Sequence, residues 1–306
     1  MGKKKVKEYL KIALTDLLHR ADAVRKNYAG NRIELCGIVN AKSGLCGEDC
    51  KFCAQSAHNG ADTPVYPLKP EEEIVNAARK AETEGAARFG IVTSGNRLDE
   101  KEIAMIGGAI EKIKSKTNLS VCASMGALDE KSMVFLKKAG LTRYHHNLET
   151  SERYYSFIVT THNYRERVNT IKSALDAGLE VCSGGILGMG ETWDDRIDMA
   201  LLLKDLGVNS IPLNFLVPVK GTFFAEREAI SPIEALRAIA LFRMILPDKD
   251  IKIAAGRESV LNDFQGMLYS AGANGMMIGG YLTVKGRCPE EDLKLVKAVR
   301  ELWNSD

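Results

Sequence analysis

The feature of this 306-residue chain that most restricts its fold is an alternation of two hydrophobic periods. Short apolar runs near residues 34–40, 87–93, 119–123, 142–147, 179–184, 209–215, 250–255 and 275–279 are separated by longer stretches. In those stretches apolar residues recur three, four or seven apart, as in Val168, Ile171 and Leu175 or Ile233, Leu236 and Ala240. The runs read as buried strands and the stretches as amphipathic helices. Gly85, Gly140, Gly178 and Gly207 stand just before the next run, where left-handed helix stops are expected. Eight strand–helix units with no linker, repeat or low-complexity segment predict a single α/β domain, a (β/α)8 TIM-type barrel. A doubly wound open sheet is the alternative on pattern alone. An amphipathic helix over about residues 5–28 comes first, dividing the chain into an N-terminal helical extension, 1–32, and a barrel, 33–306.

Functional groups of such a barrel gather at the C-terminal ends of its strands. Directly after the first run comes Cys46-Gly-Glu-Asp-Cys50-Lys-Phe-Cys53, three thiols within eight residues. A structural zinc site needs four ligands in spaced pairs, and His58 is the only nearby candidate for a fourth. The spacing suits three corners of a 4Fe-4S cluster, leaving one iron open to a small molecule. The remaining composition excludes other classes. Lys plus Arg 42 against Asp plus Glu 40 gives net charge +2, which implies no nucleic-acid or acidic-membrane partner. Seven cysteines, odd in number and concentrated around one motif, argue against disulfides and for a reducing compartment. The basic N-terminus lacks an apolar signal region, and no window approaches the roughly 18 apolar residues of a membrane span. A cytoplasmic location is expected.

Continued through Ala54-Gln55-Ser56, the cysteine run resembles the cluster loop of the radical S-adenosylmethionine superfamily, in its biotin-synthase branch. The resemblance implies that Cys46, Cys50 and Cys53 hold a 4Fe-4S cluster whose open iron binds S-adenosylmethionine, with Phe52 against the adenine. Tyr144-His145-His146-Asn147-Leu148-Glu149-Thr150-Ser151 resembles the branch motif Tyr-Asn-His-Asn-Leu-Asp-Thr-Ser, with Glu149 for the Asp. Asn147 and Glu149 would hold the ribose hydroxyls, and Asn147 would also face the acceptor substrate. As a bare Gly-rich turn, Cys182-Ser-Gly-Gly-Ile-Leu-Gly-Met-Gly-Glu191 is a weak signal. It matches the superfamily's adenine element G-x-I-x-G-x-x-E through Gly184, Ile186, Gly188 and Glu191. The run from Ser210 to Thr222 resembles the segment whose Asn, here Asn214, contacts dethiobiotin. Ala255-Gly-Arg257-Glu258 and Ala271-Gly-Ala-Asn274 complete the set in family order.

This resemblance spans about residues 5–300. It implies insertion of sulfur into dethiobiotin by radical chemistry, an auxiliary iron–sulfur cluster as sulfur donor, a reductant such as flavodoxin or ferredoxin, and a homodimer. Related enzymes of the hydrogenase-maturation and methylornithine-forming types share the loop and barrel without inserting sulfur. A cluster-carrying scaffold would need the cysteines but not the adenine element.

The chain departs from the branch where the auxiliary cluster should sit. Of its usual three cysteines and one arginine, two match Cys122 and Cys182. The third falls on Gly90, in Ala87-Arg88-Phe89-Gly90, and the arginine on Lys252. Cys36, where the familiar type carries serine, lies in the first strand. Inward side chains of a barrel form layers drawn from alternate strands, so the first, third, fifth and seventh strands would present Cys36, Cys122, Cys182 and Lys252 together. The expectation is an auxiliary cluster on three thiolates, of 2Fe-2S or 4Fe type, with Lys252 donating to a sulfide or balancing charge. Cys288, before the last helix, reads as peripheral.

Overall fold

A computed structural model describes residues 2–305. Nine parallel strand segments form one sheet: β1 (Glu34–Lys42), β2 (Arg88–Thr93), β3 (Ser120–Ser124), β4 (Arg143–His145), β5 (Glu180–Cys182), β6 (Gly185–Leu187), β7 (Ser210–Phe215), β8 (Asp250–Ile253) and β9 (Gly275–Met277). Their order is β5-β4-β3-β2-β1-β9-β8-β7-β6, and β5 also pairs with β7, which closes the sheet. β5 and β6 are two halves of the fifth barrel strand. They part at Ser183-Gly184, where a Cβ on Gly184 would stand 1.9 Å from the Pro212 carbonyl oxygen. The result is the expected eight-position barrel, and closure rules out the open sheet.

The sheath helices begin and end as local chemistry requires. Asp99, Asp129, Asn163, Thr192 and Ser231 each accept a backbone N–H of the first turn that follows, meeting donors that a helix start leaves unpaired. At the other ends Gly85, Gly140, Gly178 and Gly207 adopt φ of 90°, 108°, 73° and 72°, a conformation other residues reach only at a cost. Alternation along the strands then sorts the side chains. Phe89, Ile91, Val121, Tyr144, Val181, Ile211, Leu213, Ile251 and Met276 are fully buried under the helices. Arg88, Gly90, Cys122, His145, Cys182, Pro212 and Lys252 line the barrel interior.

The N-terminal segment differs from expectation. It is two helices, Lys3–Glu8 and Leu14–Ala29, joined by a 3-10 turn over Tyr9–Lys11. Ile12 is extended at the break, and Arg237 donates to the carbonyls of Leu10 (3.3 Å) and Ile12 (2.9 Å). A partner for those carbonyls makes the interruption tolerable. Lys3 and Lys7 pair with Asp198 and Asp194 at 2.6 and 2.7 Å, and the Arg25 guanidinium lies 3.5 Å over the Trp303 ring. Among the described residues no helix is long and apolar enough to cross a membrane.

Two motifs of the sequence have structural employment. Asn274 accepts from Arg243 (2.8 Å) and from the Ile251 N–H (2.9 Å) and donates to Asp250 (2.7 Å). Arg243, fully buried, also donates to the carbonyls of Gly272, Leu246, Pro247 and Lys249. Arg257 ties β9 to the last helix, Pro289–Asn304, through Asp292 at 2.6 Å. Truncating Arg243 would strand several buried acceptors at once. Arg243→Met is expected to destabilise the protein by about 3 kcal/mol or more, read as a fall in denaturation midpoint without loss of barrel circular dichroism in the folded baseline.

Candidate active site

Inside the barrel is a cavity of about 430 Å³ opening at the C-terminal ends of the strands. Its wall includes Cys36, Cys46, Cys50, Phe52, Cys53, Cys122, Asn147, Glu149, Cys182, Ile186, Asn214 and Lys252. Gly184 and Glu191 do not reach it. All seven cysteines are free.

The cluster loop is strapped from several sides. The Cys46 N–H donates to Gln55 O and the Ala57 N–H to Cys46 O (3.0 and 2.8 Å), while Asn59 Nδ2 donates to the carbonyls of Cys50 and Cys53 (3.1 and 2.8 Å). The stretch Thr160–His162 clamps it, with His162 and its partner Glu48 in the cavity wall. Asp49 accepts the N–H groups of Thr160 and Thr161 (2.8 and 3.1 Å), and Glu48 Oε2 lies 2.7 Å from His162 Nδ1. Burial pushes the Cys50 and Cys53 thiols up, so they keep their protons until a bound cation displaces them. His58 sits outside this set, exposed, with Nε2 3.0 Å from the Gly47 carbonyl. A closed Cys3His zinc shell is thereby disfavoured, and the three thiols on one fixed loop fit a cluster with an open corner.

Where β5 passes into β6, Gly184 and Gly185 bring neighbouring backbones close. A Cβ on Gly184 would strike Pro212, and one on Gly185 would stand 2.2 Å from the Glu149 carbonyl oxygen. They let neighbouring backbones meet. That approach fixes Glu149 at φ 69° and lets Asn147 Oδ1 accept from the Gly184 N–H at 3.0 Å. Left-handed backbone at a non-glycine residue is a strain that packing must hold. Glu191 is buried and accepts from Gly188 N, Gly190 N and Arg196 (2.9, 3.1 and 2.7 Å). It shapes the Gly188–Gly190 turn beside the cavity. Asn214 Nδ2 donates to Gly185 O (3.3 Å), and its Oδ1 accepts from Ala255 N (3.2 Å).

Arg167 is a residue the sequence did not flag. Its guanidinium reaches Asn147 O (2.9 Å) and Tyr155 Oη (2.6 Å) and lines the cavity 3.8 Å from Glu149. Burial pushes Glu149 up against the pull of Arg167, and burial brings His145 down to about 4, so its imidazole is neutral. Nothing in the helix pattern distinguishes Arg167 from its neighbour Arg165.

Deeper in the barrel, Lys252 Nζ donates to Cys36 Sγ (3.2 Å) and pairs with Glu34 (2.6 Å). Glu34 also accepts from Arg88 (3.0 Å) and Arg143 (3.4 Å), and Glu180 accepts from Arg143 (2.8 Å). Burial alone would raise the Glu34 carboxyl, but Lys252, then Arg88 and Arg143, hold it down at about 2. Burial pushes the Cys36 and Cys122 thiols up. A Cβ on Gly90 would press on Ile38 Cγ2 at 3.2 Å, so Ile38 holds space that a cysteine there would need. These inward acids were legible: Glu34, Glu180 and Asp250 each precede an inward residue by two positions, the strand period.

Residues 42–203 match the Radical SAM superfamily, and residues 212–299 match the Biotin and Thiamin Synthesis associated domain. The chain is 49% identical to a biotin synthase of Thermotoga petrophila, over 97% of this chain and 99% of that one. It is 49% identical to a biotin synthase of Pelotomaculum thermopropionicum, over 92% and 88%. Among solved structures, methylornithine synthase superposes with TM-score 0.83 at 18% identity, covering 97% of this chain and 92% of that one. The FeFe-hydrogenase maturase from Carboxydothermus hydrogenoformans gives 0.80 at 20%, covering 96% and 77%. At such identities these two speak for the fold alone. Two family matches that together run through the barrel, and near-half identity across almost the whole chain, lead to one conclusion: the chain belongs to the biotin synthase family of the radical S-adenosylmethionine superfamily.

Proposed function

We propose that this chain's own residues divide the barrel into two centres, a radical centre on Cys46, Cys50 and Cys53 at the mouth and a sulfur-donating centre on Cys36, Cys122 and Cys182 below it. The reaction is the radical S-adenosylmethionine-dependent insertion of sulfur into dethiobiotin to give biotin. The observation that carries the residue assignment is that both sets of three thiols line one cavity, with Asn147, Glu149 and Asn214 in the same wall. Cys46, Cys50 and Cys53 would hold a cluster able to supply the electron that cleaves S-adenosylmethionine, and Cys36, Cys122 and Cys182 would hold one able to supply the sulfur.

The protein's part is binding, orientation and exclusion of water. Glu149 and Asn147 face the cavity as acceptor and donor suited to ribose hydroxyls. Phe52 and Ile186 offer apolar walls for an adenine, and Glu191 holds the turn that carries Ile186 toward it. The Arg167 guanidinium, between Glu149 and the cluster loop, suits the carboxylate of S-adenosylmethionine. Asn147 and Asn214 present amide groups to the substrate space. Tyr281–Val284 form part of the cavity wall, and Asn40 Nδ2 ties them down through Leu282 O at 3.2 Å; a walled cavity limits the access of stray hydrogen donors.

For the deeper centre, three thiols and one ammonium support an auxiliary cluster with three thiolate ligands, and a 4Fe type with one iron left for sulfur fits that count better than a 2Fe-2S cluster needing four. The electron comes from a reductant such as flavodoxin or ferredoxin. On the outer face of the cluster loop Lys51 lies over the exposed Phe157 and Phe223 rings at 4.2 and 4.4 Å. The homodimer implied by family likeness belongs to this same proposal. It is read by light scattering of the intact protein.

Anaerobic turnover of dethiobiotin with S-adenosylmethionine and reductant tests the whole reading. Biotin and 5′-deoxyadenosine are expected together; 5′-deoxyadenosine without biotin would favour a relative that inserts no sulfur. Cys36→Ala is expected to remove most auxiliary iron and sulfide while sparing the radical cluster. Unchanged content in that variant would remove Cys36 from the ligand set. Glu149→Gln is expected to raise the KM for S-adenosylmethionine about tenfold, the loss of roughly 1.5 kcal/mol from one charge-assisted hydrogen bond, with the cluster content of the protein intact.

A further inference from the structure

Beneath the three deeper thiols lies a carboxylate, Glu34, that has been given no role above, although the Lys252 it holds has. Glu34 stands two residues before Cys36 on β1, one layer further from the mouth. Its two carboxylate oxygens gather three cations from three other strands: Oε1 accepts from Arg88 of β2, and Oε2 from Lys252 of β8 and Arg143 of β4. Arg88 and Lys252 line the cavity, whereas Glu34 and Arg143 lie outside its wall. Each of the two lining cations is therefore held from below by the same carboxylate. Lys252 Nζ is placed by that contact, 2.6 Å from Glu34 and 3.2 Å from Cys36 Sγ. The side chains of Lys252 and Arg143 are 5% and 4% exposed, so these charges are set in a site where neighbours are weakly screened.

We propose that Glu34 is the positioning residue of the sulfur-donating centre. It fixes Lys252 as a charged hydrogen-bond donor to the sulfur side of that centre and sets the net charge the centre sees. The inference rests on the assignment of Cys36, Cys122 and Cys182 to an auxiliary cluster. An ammonium has no lone pair for iron, so a lysine anchored this way serves as donor and counter-charge, not as ligand. Net charge and hydrogen bonds to the sulfurs are what tune the reduction potential of an iron–sulfur centre. The sign of each effect follows. Glu34→Gln keeps an amide oxygen that can still accept from Lys252 Nζ while removing the charge, so the surroundings become more positive, the reduced and more negative centre is favoured, and its midpoint rises. Removing the Lys252 charge does the reverse.

The test is a redox titration, followed by electron paramagnetic resonance, of anaerobically reconstituted full-length protein. Glu34→Gln is expected to shift the auxiliary midpoint upward and Lys252→Met to shift it downward, with the radical centre's midpoint unmoved in both. A residue that merely holds the barrel together would not give opposite signs at one centre and silence at the other. Shifts of the same sign, or no shift, overturn the proposal. Should Glu34→Gln fail to accumulate as folded protein, Lys252→Met alone decides, since an unmoved or rising midpoint contradicts it. Iron and sulfide counts on Cys122→Ala and Cys182→Ala separate the two levels of the argument. Full auxiliary content in both would mean that the cluster assignment itself is wrong, whereas loss in both with no shift in Glu34→Gln would leave the assignment standing and sink only the role of Glu34.

Discussion

Everything in this protein hangs on the two-residue alternation of side chains in a closed parallel sheet. Closure leaves each strand one inward and one outward set, and the outward set is occupied by Phe89, Ile91, Val121, Tyr144, Ile211 and their neighbours under the helices. The inward set is then free to be chemical. Moving up the barrel, it passes from carboxylates at Glu34 and Glu180, through cations and thiols at Lys252, Arg88, Cys36, Cys122 and Cys182, to amides and a carboxylate at Asn147, Asn214 and Glu149. A slip of one residue in any strand would exchange that strand's apolar and polar faces. The close backbone approaches at Gly184 and Gly185, where no Cβ fits, help pin the register of the fifth strand against the fourth and sixth.

The same stacking explains how one cavity can hold groups of opposed character. The deep cations are not left uncompensated, because Arg88, Arg143 and Lys252 each find a carboxylate within 3.4 Å on the layer below. Buried charge is tolerated only when paired and hydrogen-bonded. Burial pushes the Cys36 and Cys122 thiols above them up, favouring the protonated form, and metal binding would release those protons. At the mouth the logic changes from charge balance to orientation. There Asp49 and Glu48 anchor the cysteine loop to Thr160–His162, with Glu48 and His162 themselves part of the cavity wall.

Much of this was legible in the sequence. The barrel followed from eight apolar runs and four glycine stops, and the strands lie within about two residues of where the pattern put them, except the shorter fourth and the divided fifth. The convergence of Cys36, Cys122, Cys182 and Lys252 followed from alternate-strand layering. What was missed has physical causes. The break in the N-terminal helix depends on Arg237, a partner far away in sequence. The division of the fifth strand depends on the Pro212 carbonyl of its neighbour. Glu191 and Gly184 matched a motif by spacing, and the contacts they make, with Gly188, Gly190, Arg196 and the Pro212 backbone, could not be read from it. Arg167 carried no local signal at all.

The account's central claim is that the two sets of thiols serve one reaction, with sulfur held by the protein passing to the substrate. The most direct measurement is a single-turnover reaction of protein reconstituted with heavy-isotope sulfide, freed of excess sulfide, and given dethiobiotin, S-adenosylmethionine and reductant without air. Mass spectrometry of the biotin should show the label in nearly every molecule formed. Biotin that carries only unlabelled sulfur, or 5′-deoxyadenosine that accumulates with no biotin at all, would contradict it.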